Sequence, residues 1–217
     1  SSPVTYGNVL VSGQSGGVSS TYTADAAFNA TGSFTLSDTG IFVANAATTL
    51  SSAATLSGSA QLQLNAGQFD AANLNLSGGS AVVRGGGANT LRIGRFAVDG
   101  VGTSLTLKAG DEIYANEDNS VNYGATVTNA GLSSVTGALR VNYTSGSTPS
   151  TFNSNAPVTF SRELNVSGGG LVNINANTTF ANYATIEGTG SLLRLNSGTF
   201  TTPGTLTAYY GATIERT

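Results

Sequence analysis

Between Gly58 and Gly87 one short pattern is written three times, and nothing else in the chain restricts the fold so strongly. Two apolar residues one position apart, Leu62 and Leu64, are followed by Asn65-Ala66-Gly67. Leu74 and Leu76 are followed by Ser77-Gly78-Gly79, and Val82 and Val83 lead into Arg84-Gly85-Gly86-Gly87. Alternation at period two buries one face of an extended strand. The small residues and glycines behind each pair tolerate the positive φ that a sharp corner needs. Leu62 and Leu74 lie 12 residues apart, room for a strand, a corner and another short strand. A chain that repeats such units without helices coils on itself, each coil burying its inner face against the coils above and below. The pattern predicts an all-β chain folded as a β-solenoid.

The same grammar runs along the rest of the sequence. Residues 1–23 hold Val4-Thr5-Tyr6 and Val9-Leu10-Val11, then a flexible corner at residues 13–17 and a second strand starting at Tyr22. An early strand of this kind either begins the coil or pairs with another subunit's open edge. Residues 24–57 carry alternating or turn-separated apolar positions, and Ala24–Ala30 could form one helical turn, so this segment is a candidate cap over a solenoid end. Residues 58–217 supply the coils. Within them, residues 111–120 form the densest charge cluster and read as a protruding loop, and residues 144–154 read as a corner insertion. Strand-like segments every 8–12 residues, two or three per coil, predict roughly eight to ten coils. Stacked at about 4.8 Å these would make a rod of roughly 40–50 Å. Regularly spaced short strands also suit a β-sandwich, the alternative architecture. The glycine-terminated Leu-x-Leu units and the recurrence of Asn65, Asn75, Asn165, Asn173 and Asn175 favour the solenoid, because stacked amides can hydrogen-bond along a coil axis.

Composition bounds the function. With 39% hydrophobic residues, the chain can build a core as one domain or one elongated module. Only 9% of residues are charged, so solubility comes from hydroxyl and amide side chains, a surface common to extracellular repetitive proteins. The net charge is −3 and the eight cations are scattered, which argues against a nucleic-acid partner. No apolar run is long enough for a membrane span. The sequence opens at Ser1-Ser2-Pro3 without methionine, and a removed secretory leader is the expectation that suits this composition.

The units Leu62-Gln63-Leu64-Asn65-Ala66-Gly67, Leu74-Asn75-Leu76-Ser77-Gly78-Gly79, Leu105-Thr106-Leu107-Lys108-Ala109-Gly110, Leu164-Asn165-Val166-Ser167-Gly168-Gly169-Gly170 and Leu195-Asn196-Ser197-Gly198 resemble the passenger regions of bacterial autotransporters and related secreted surface proteins. The resemblance spans roughly residues 50–215 at the level of class. It implies a right-handed parallel β-helix displayed or secreted by a bacterium, with no catalytic motif to carry over.

The absence of histidine and cysteine excludes imidazole and thiol catalysis. Carboxylates are what is left. A glycosidase needs two of them about 5–10 Å apart, and Asp70 and Asp99 would stack on one face if the coil length suits. Asp111, Glu112, Glu117 and Asp118 are the candidate calcium ligands, although they lack the spacing of a dedicated calcium loop. The glycine triplets at 85–87 and 168–170 read as corners and not as phosphate loops. The eight tyrosines could stack on sugars. Thr-x-Thr at 21–23, 126–128, 199–201 and 205–207 raises an ice-binding reading, which the unequal spacing disfavours.

The leading functional expectation is a non-enzymatic extracellular protein, a subunit of a surface fibre or adhesive stalk that polymerises end to end. Val4, Tyr6, Val9 and Val11 at one end and Leu206, Tyr209, Tyr210 and Ile214 at the other are the residues assigned to assembly. No cofactor is required beyond the calcium option. The alternative is a β-helix that binds or cleaves carbohydrate, with surface glycans as the partner.

Overall fold

Each strand of the chain is short, and each finds its hydrogen-bonding partner one full coil away. The computed structural model describes residues 3–13 and 17–217. Three strands make a coil. Phe28–Ala30, Phe34–Ser37 and Ile41–Ala44 lie under Thr48–Leu50, Ala54–Leu56 and Gln61–Leu64, paired in parallel with in-step register. The first two sides of the coil merge into one 18-stranded sheet and the third side is a separate sheet of 10 strands. They merge because Gly67–Ser77 and Asn89–Asp99 each run unbroken around the first corner. The result is a three-sided β-solenoid of about 10 turns, without any helix among the described residues. Ten strands at about 4.8 Å give a column roughly 45 Å long. The β-sandwich is excluded. The only antiparallel pair among the described residues is Thr144–Ser145 with Thr148–Pro149, a small hairpin at the corner insertion.

The repeat at residues 58–87 takes on a definite geometry here. Leu62 does not stack on Leu74. It stacks on Val82, and the intervening residues turn three corners to close the coil. Leu74 and Leu76 lie on the second side, above Ala54 and Leu56. The third copy is a true repeat only in part: Val82 faces inward while Val83 is exposed.

Alternation places every second side chain inside. Phe28, Phe34, Phe42, Phe69, Phe96, Phe152, Phe160 and Phe180 are fully buried, so the interior is more aromatic than a slim coil of small residues would be. Phe160 and Phe180 stack with ring centroids 4.6 Å apart, and Phe28, Phe34 and Phe42 interlock edge to face at 5.0–6.5 Å. Each such side chain adds about 1.5–3 kcal/mol of burial.

Several sequence expectations are corrected by this arrangement. Ala24–Ala30 forms no helical turn: Thr21–Ala24 and Phe28–Ala30 are strands, because Phe28 and Ala30 alternate into the core. Residues 24–57 carry the same three-sided coils as the rest and do not cap them. Of the two readings of the early strand, Val4–Tyr6 follows the first and begins the coil, pairing with Phe28–Ala30 of its own chain. Residues 14–16 of the predicted N-terminal corner lie outside the described residues. Residues 111–120 are no protruding loop either, since Glu112–Ile113 and Asp118–Asn122 join the first two sides.

One corner fixes the coil. Directly after the second-side strand, successive coils place Asp38, Gly58, Gly78, Gly100, Tyr123, Tyr143, Gly168, Gly188 and Tyr210, all with positive φ between 52° and 91°. This residue turns the chain onto the third side. In most coils a backbone bond closes the turn three positions on, as from Gly40 to Ser37 and from Gly170 to Ser167.

Spacing between coils is equally strict at Gly94, inside the long strand Asn89–Asp99. A Cβ there would collide with the carbonyl oxygen of Ala72 in the coil beneath. Gly94→Ala should therefore lower stability by about 1–3 kcal/mol. Gly86→Ala, where nothing lies within 4 Å, should leave the thermal midpoint unchanged. Equal melting curves for the two variants would contradict this packing.

Candidate functional site

Three groups of side chains stand apart from the repeating core: a line of ion pairs, the two ends of the column, and the left-handed corner.

The carboxylates expected to hold calcium are each drawn to an arginine one coil away. Asp111 is buried and meets the Arg84 guanidinium at 2.6 Å; its oxygens also accept the backbone N–H of Leu91 and Lys108, both at 2.8 Å. Glu112 and Asp70 lie on either side of Arg92, at 2.9 and 3.0 Å. Glu117 lies 2.9 Å from Arg95 Nε, although no aligned hydrogen bond joins them. Asp118 pairs with Arg140 at 2.6 Å and reaches Arg162 at 3.7 Å. The coil length causes this, because it brings residues about 20–27 positions apart into contact. Among the described residues no three histidine, cysteine, aspartate or glutamate side chains gather as a metal site. Asp70 and Asp99 do not stack: Asp70 registers with Arg92, whereas Asp99 registers with Ser77 at the far end of the strand.

Arg84 was not visible as special in the sequence. It occupies the inward position that Leu64 holds one coil below. Burial drives its pKa down, and the Asp111 carboxylate opposes that shift. A charged residue at an otherwise apolar template position is the signal that could have found it.

The ends of the column are apolar in the middle and hydrogen-bonding at the rim. In the first coil Val4 registers with Phe28, Val9 with Phe34, Val11 with Leu36 and Tyr22 with Phe42, so these side chains continue the interior. A cleft of about 200 Å³ opens between Tyr6, Val9, Val11, Tyr22 and Phe28. In the last coil Leu206 registers with Ala184 and Ile214 with Leu193, again inward. Six of the residues assigned to assembly thus sit on the end faces. Tyr209 and Tyr210 do not: Tyr209 faces outward, its hydroxyl donating to Glu187 at 3.4 Å, and Tyr210 occupies the left-handed corner. Burial and then the Glu187 charge hold the Tyr209 phenol above its usual pKa.

At the first coil Tyr22 donates a hydrogen bond to the Tyr6 hydroxyl at 3.1 Å. That bond, followed by burial, raises the Tyr22 pKa to about 12.

Amides line two corners. Asn45 donates to Asp25 and Asn65 to Asn45, and farther along Asn175 donates to Asn155 and Asn196 to Asn175. Asn173 donates to Asn153 in the same way, whereas Asn75 and Asn165 register with Thr55 and Thr185 and form no amide ladder. A second row precedes the left-handed corner: Asn122 donates to Asp99, Asn142 to Asn122, and the Ser167 hydroxyl to Asn142. The threonine pairs do not build an array. Thr21 and Thr23 are separated from Thr126 and Thr128 on the third side by strands bearing Ile41, Val43, Gln61 and Gln63.

The left-handed corner itself carries tyrosine where five other coils use glycine. Tyr123 and Tyr143 stack in parallel, centroids 5.4 Å apart and planes 10° apart, and both are more than half exposed. Tyr210 is 75% exposed. The dipeptides Asn122-Tyr123 and Asn142-Tyr143, standing where other coils write Ser-Gly or Asp-Gly, are the sequence signal for this edge.

Asp111→Ala should cost about 3–5 kcal/mol in thermal or denaturant unfolding, because it leaves the Arg84 charge buried without a partner. Arg194→Ala, which breaks the half-exposed pair with Glu215, should cost under about 1 kcal/mol. Similar losses would refute the buried role of Asp111. For Tyr22 the sign is set by a folded pKa above the ordinary 10.0. The stabilisation from its neutral phenol is complete below pH 10 and disappears as pH rises through about 12. Ultraviolet titration should show a phenol ionising near pH 12 that Tyr22→Phe removes.

No protein-family model matches the chain, and neither does any curated protein or solved structure.

Proposed function

We propose that this chain is a non-enzymatic structural module, a secreted or surface-displayed β-solenoid that extends by stacking copies head to tail. The autotransporter-like wording of its repeats and its neutral polar surface support the extracellular, bacterial part of this reading. The observation that carries the assembly part is the match between the outermost coils. Each has the same three sides, each leaves three parallel strands paired on one face only, and each brings apolar side chains to its centre. Unpaired edges of this kind are templates for another chain. Identical cross-sections that meet by translation give an open filament and not a closed ring.

The rims agree as well. Thr213–Arg216 of one copy placed on Thr21–Ala24 of the next would set Ile214 over Tyr22 and Arg216 over Ala24, one position from Asp25. Thr217, which donates to Asn196, would continue the amide row that begins again at Asp25 and Asn45. Rim pairs of this sort direct register more than they add affinity.

Negative-stain microscopy and sedimentation of the purified chain should show rods longer than one 45 Å column, lengthening with concentration. Val9→Asp, a charge in the centre of one end face, should give monomers that still fold. Asp25→Arg or Arg216→Asp alone should weaken assembly severalfold at low salt, and the two together should restore it. A monomer at every concentration, or no rescue by the double exchange, would end this reading.

A further inference from the structure

We propose that the edge running from Tyr123 to Tyr210 binds a linear, uncharged glycan laid along the coil axis. The inference goes beyond assembly and is independent of it. Its starting point is strain. Tyr123, Tyr143 and Tyr210 hold φ of 52°, 60° and 56°. For a bulky residue that region is a genuine backbone outlier. Glycine does the same geometric work at Gly100, Gly168 and Gly188 in neighbouring coils, so the fold itself does not require tyrosine. Backbone outliers of this kind gather at ligand sites.

The side chains placed there have the chemistry of sugar recognition. Tyrosine offers an apolar ring to C–H faces and a hydroxyl to sugar oxygens. Immediately beside it runs the half-exposed row Asp99, Asn122, Asn142, Ser167 and Glu187, a line of amide, hydroxyl and carboxylate groups one coil apart. Spacing points to a linear chain. Groups repeating at about 4.8 Å match the axial repeat of an extended β-linked hexose polymer. Gly168 and Gly188 carry no side chain between Tyr143 and Tyr210, and the Tyr143 ring leans over Gly168. Charge narrows the ligand further. The row carries two carboxylates and no cation, which favours neutral glycans over uronic or sulfated ones.

Affinity electrophoresis through gels containing hydroxyethylcellulose, with polygalacturonate as the anionic control, tests this directly. The chain should be retarded by the neutral polymer only. Tyr123→Gly with Tyr143→Gly should weaken retardation roughly 10-fold while leaving the thermal midpoint unchanged or raised. Adding the neutral polymer to the unaltered chain should also perturb its tyrosine absorbance, a readout that needs no variant. The Val9→Asp chain should bind as the unaltered one does, so loss of filaments and loss of glycan binding are read separately. No retardation by the neutral polymer, retardation by polygalacturonate alone, undiminished binding by the double glycine variant, or no absorbance change would each overturn the proposal.

Discussion

Every coil of this molecule depends on parallel hydrogen bonding to the coil beneath, in step, on three sides at once. A single coil has almost no hydrogen bonds of its own; its backbone groups are satisfied only by neighbours. Leaving a buried backbone group unpaired costs as much as losing a hydrogen bond, so the chain must come back to the same place on each turn. A slip by one residue would turn every inward side chain outward. The left-handed residue after the second-side strand prevents that slip. It occupies equivalent positions from Asp38 to Tyr210, and its geometry holds whether the residue is glycine, aspartate or tyrosine.

The coils are not equal, and their differences account for the buried polar groups. Where the chain repeats in 20 residues, as from Asn45 to Asn65 and from Asn155 to Asn175, amide rows mark the corner. In the middle of the column the repeat stretches to 22, 23 and 25 residues. First-side strands there shrink to Glu112–Ile113 and Ser134–Val135. Extra residues and short strands leave backbone groups without ladder partners, and buried side chains take their place. Asp111 accepts the Leu91 N–H, and Asn119 accepts the Phe96 N–H while donating to the carbonyls of Thr136 and Ala138. Asn129 accepts the N–H groups of Gly131 and Leu132. Arg84 enters the interior at the start of this stretch as the counterion of Asp111. The polar interior is thus a repair of irregular coils.

Much of the architecture was legible in the sequence because alternation is local. Leu62 and Leu64, or Leu164 and Val166, declare a strand without reference to any distant residue. The pairing of charges was not legible, because it depends on the length of a whole coil. Residues 111–120 looked like an acidic loop when read alone. Each acid acquires an arginine only once the coil length is known: Asp70 and Glu112 around Arg92, Glu117 by Arg95, Asp118 by Arg140. The same reason hid the stack of Tyr123 on Tyr143, which are neighbours only through the coil.

A solenoid separates its surfaces by the consequences of changing them. The end faces are extensions of the core: Val4, Val9 and Ile214 follow the same inward alternation as Phe28, Phe34 and Leu193 beneath them. A substitution there is felt by the terminal coil and by any contact it makes, while the coils beneath keep their own ladders. The left-handed corner is different. Its backbone is fixed by the turn, glycine serves in five coils, and the tyrosines attached there are exposed. Such an edge can acquire tyrosine at a cost of about 1–2 kcal/mol per site, partly offset where two rings stack, by about 0.5–1.5 kcal/mol. The two adjacent positions, Tyr123 and Tyr143, recover part of that cost through each other. Tyr210 meets the ring of its own neighbour Tyr209, edge to face at 4.8 Å. Side chains retained at a strained edge that the ladders do not need are where recognition can be built without loosening the coil.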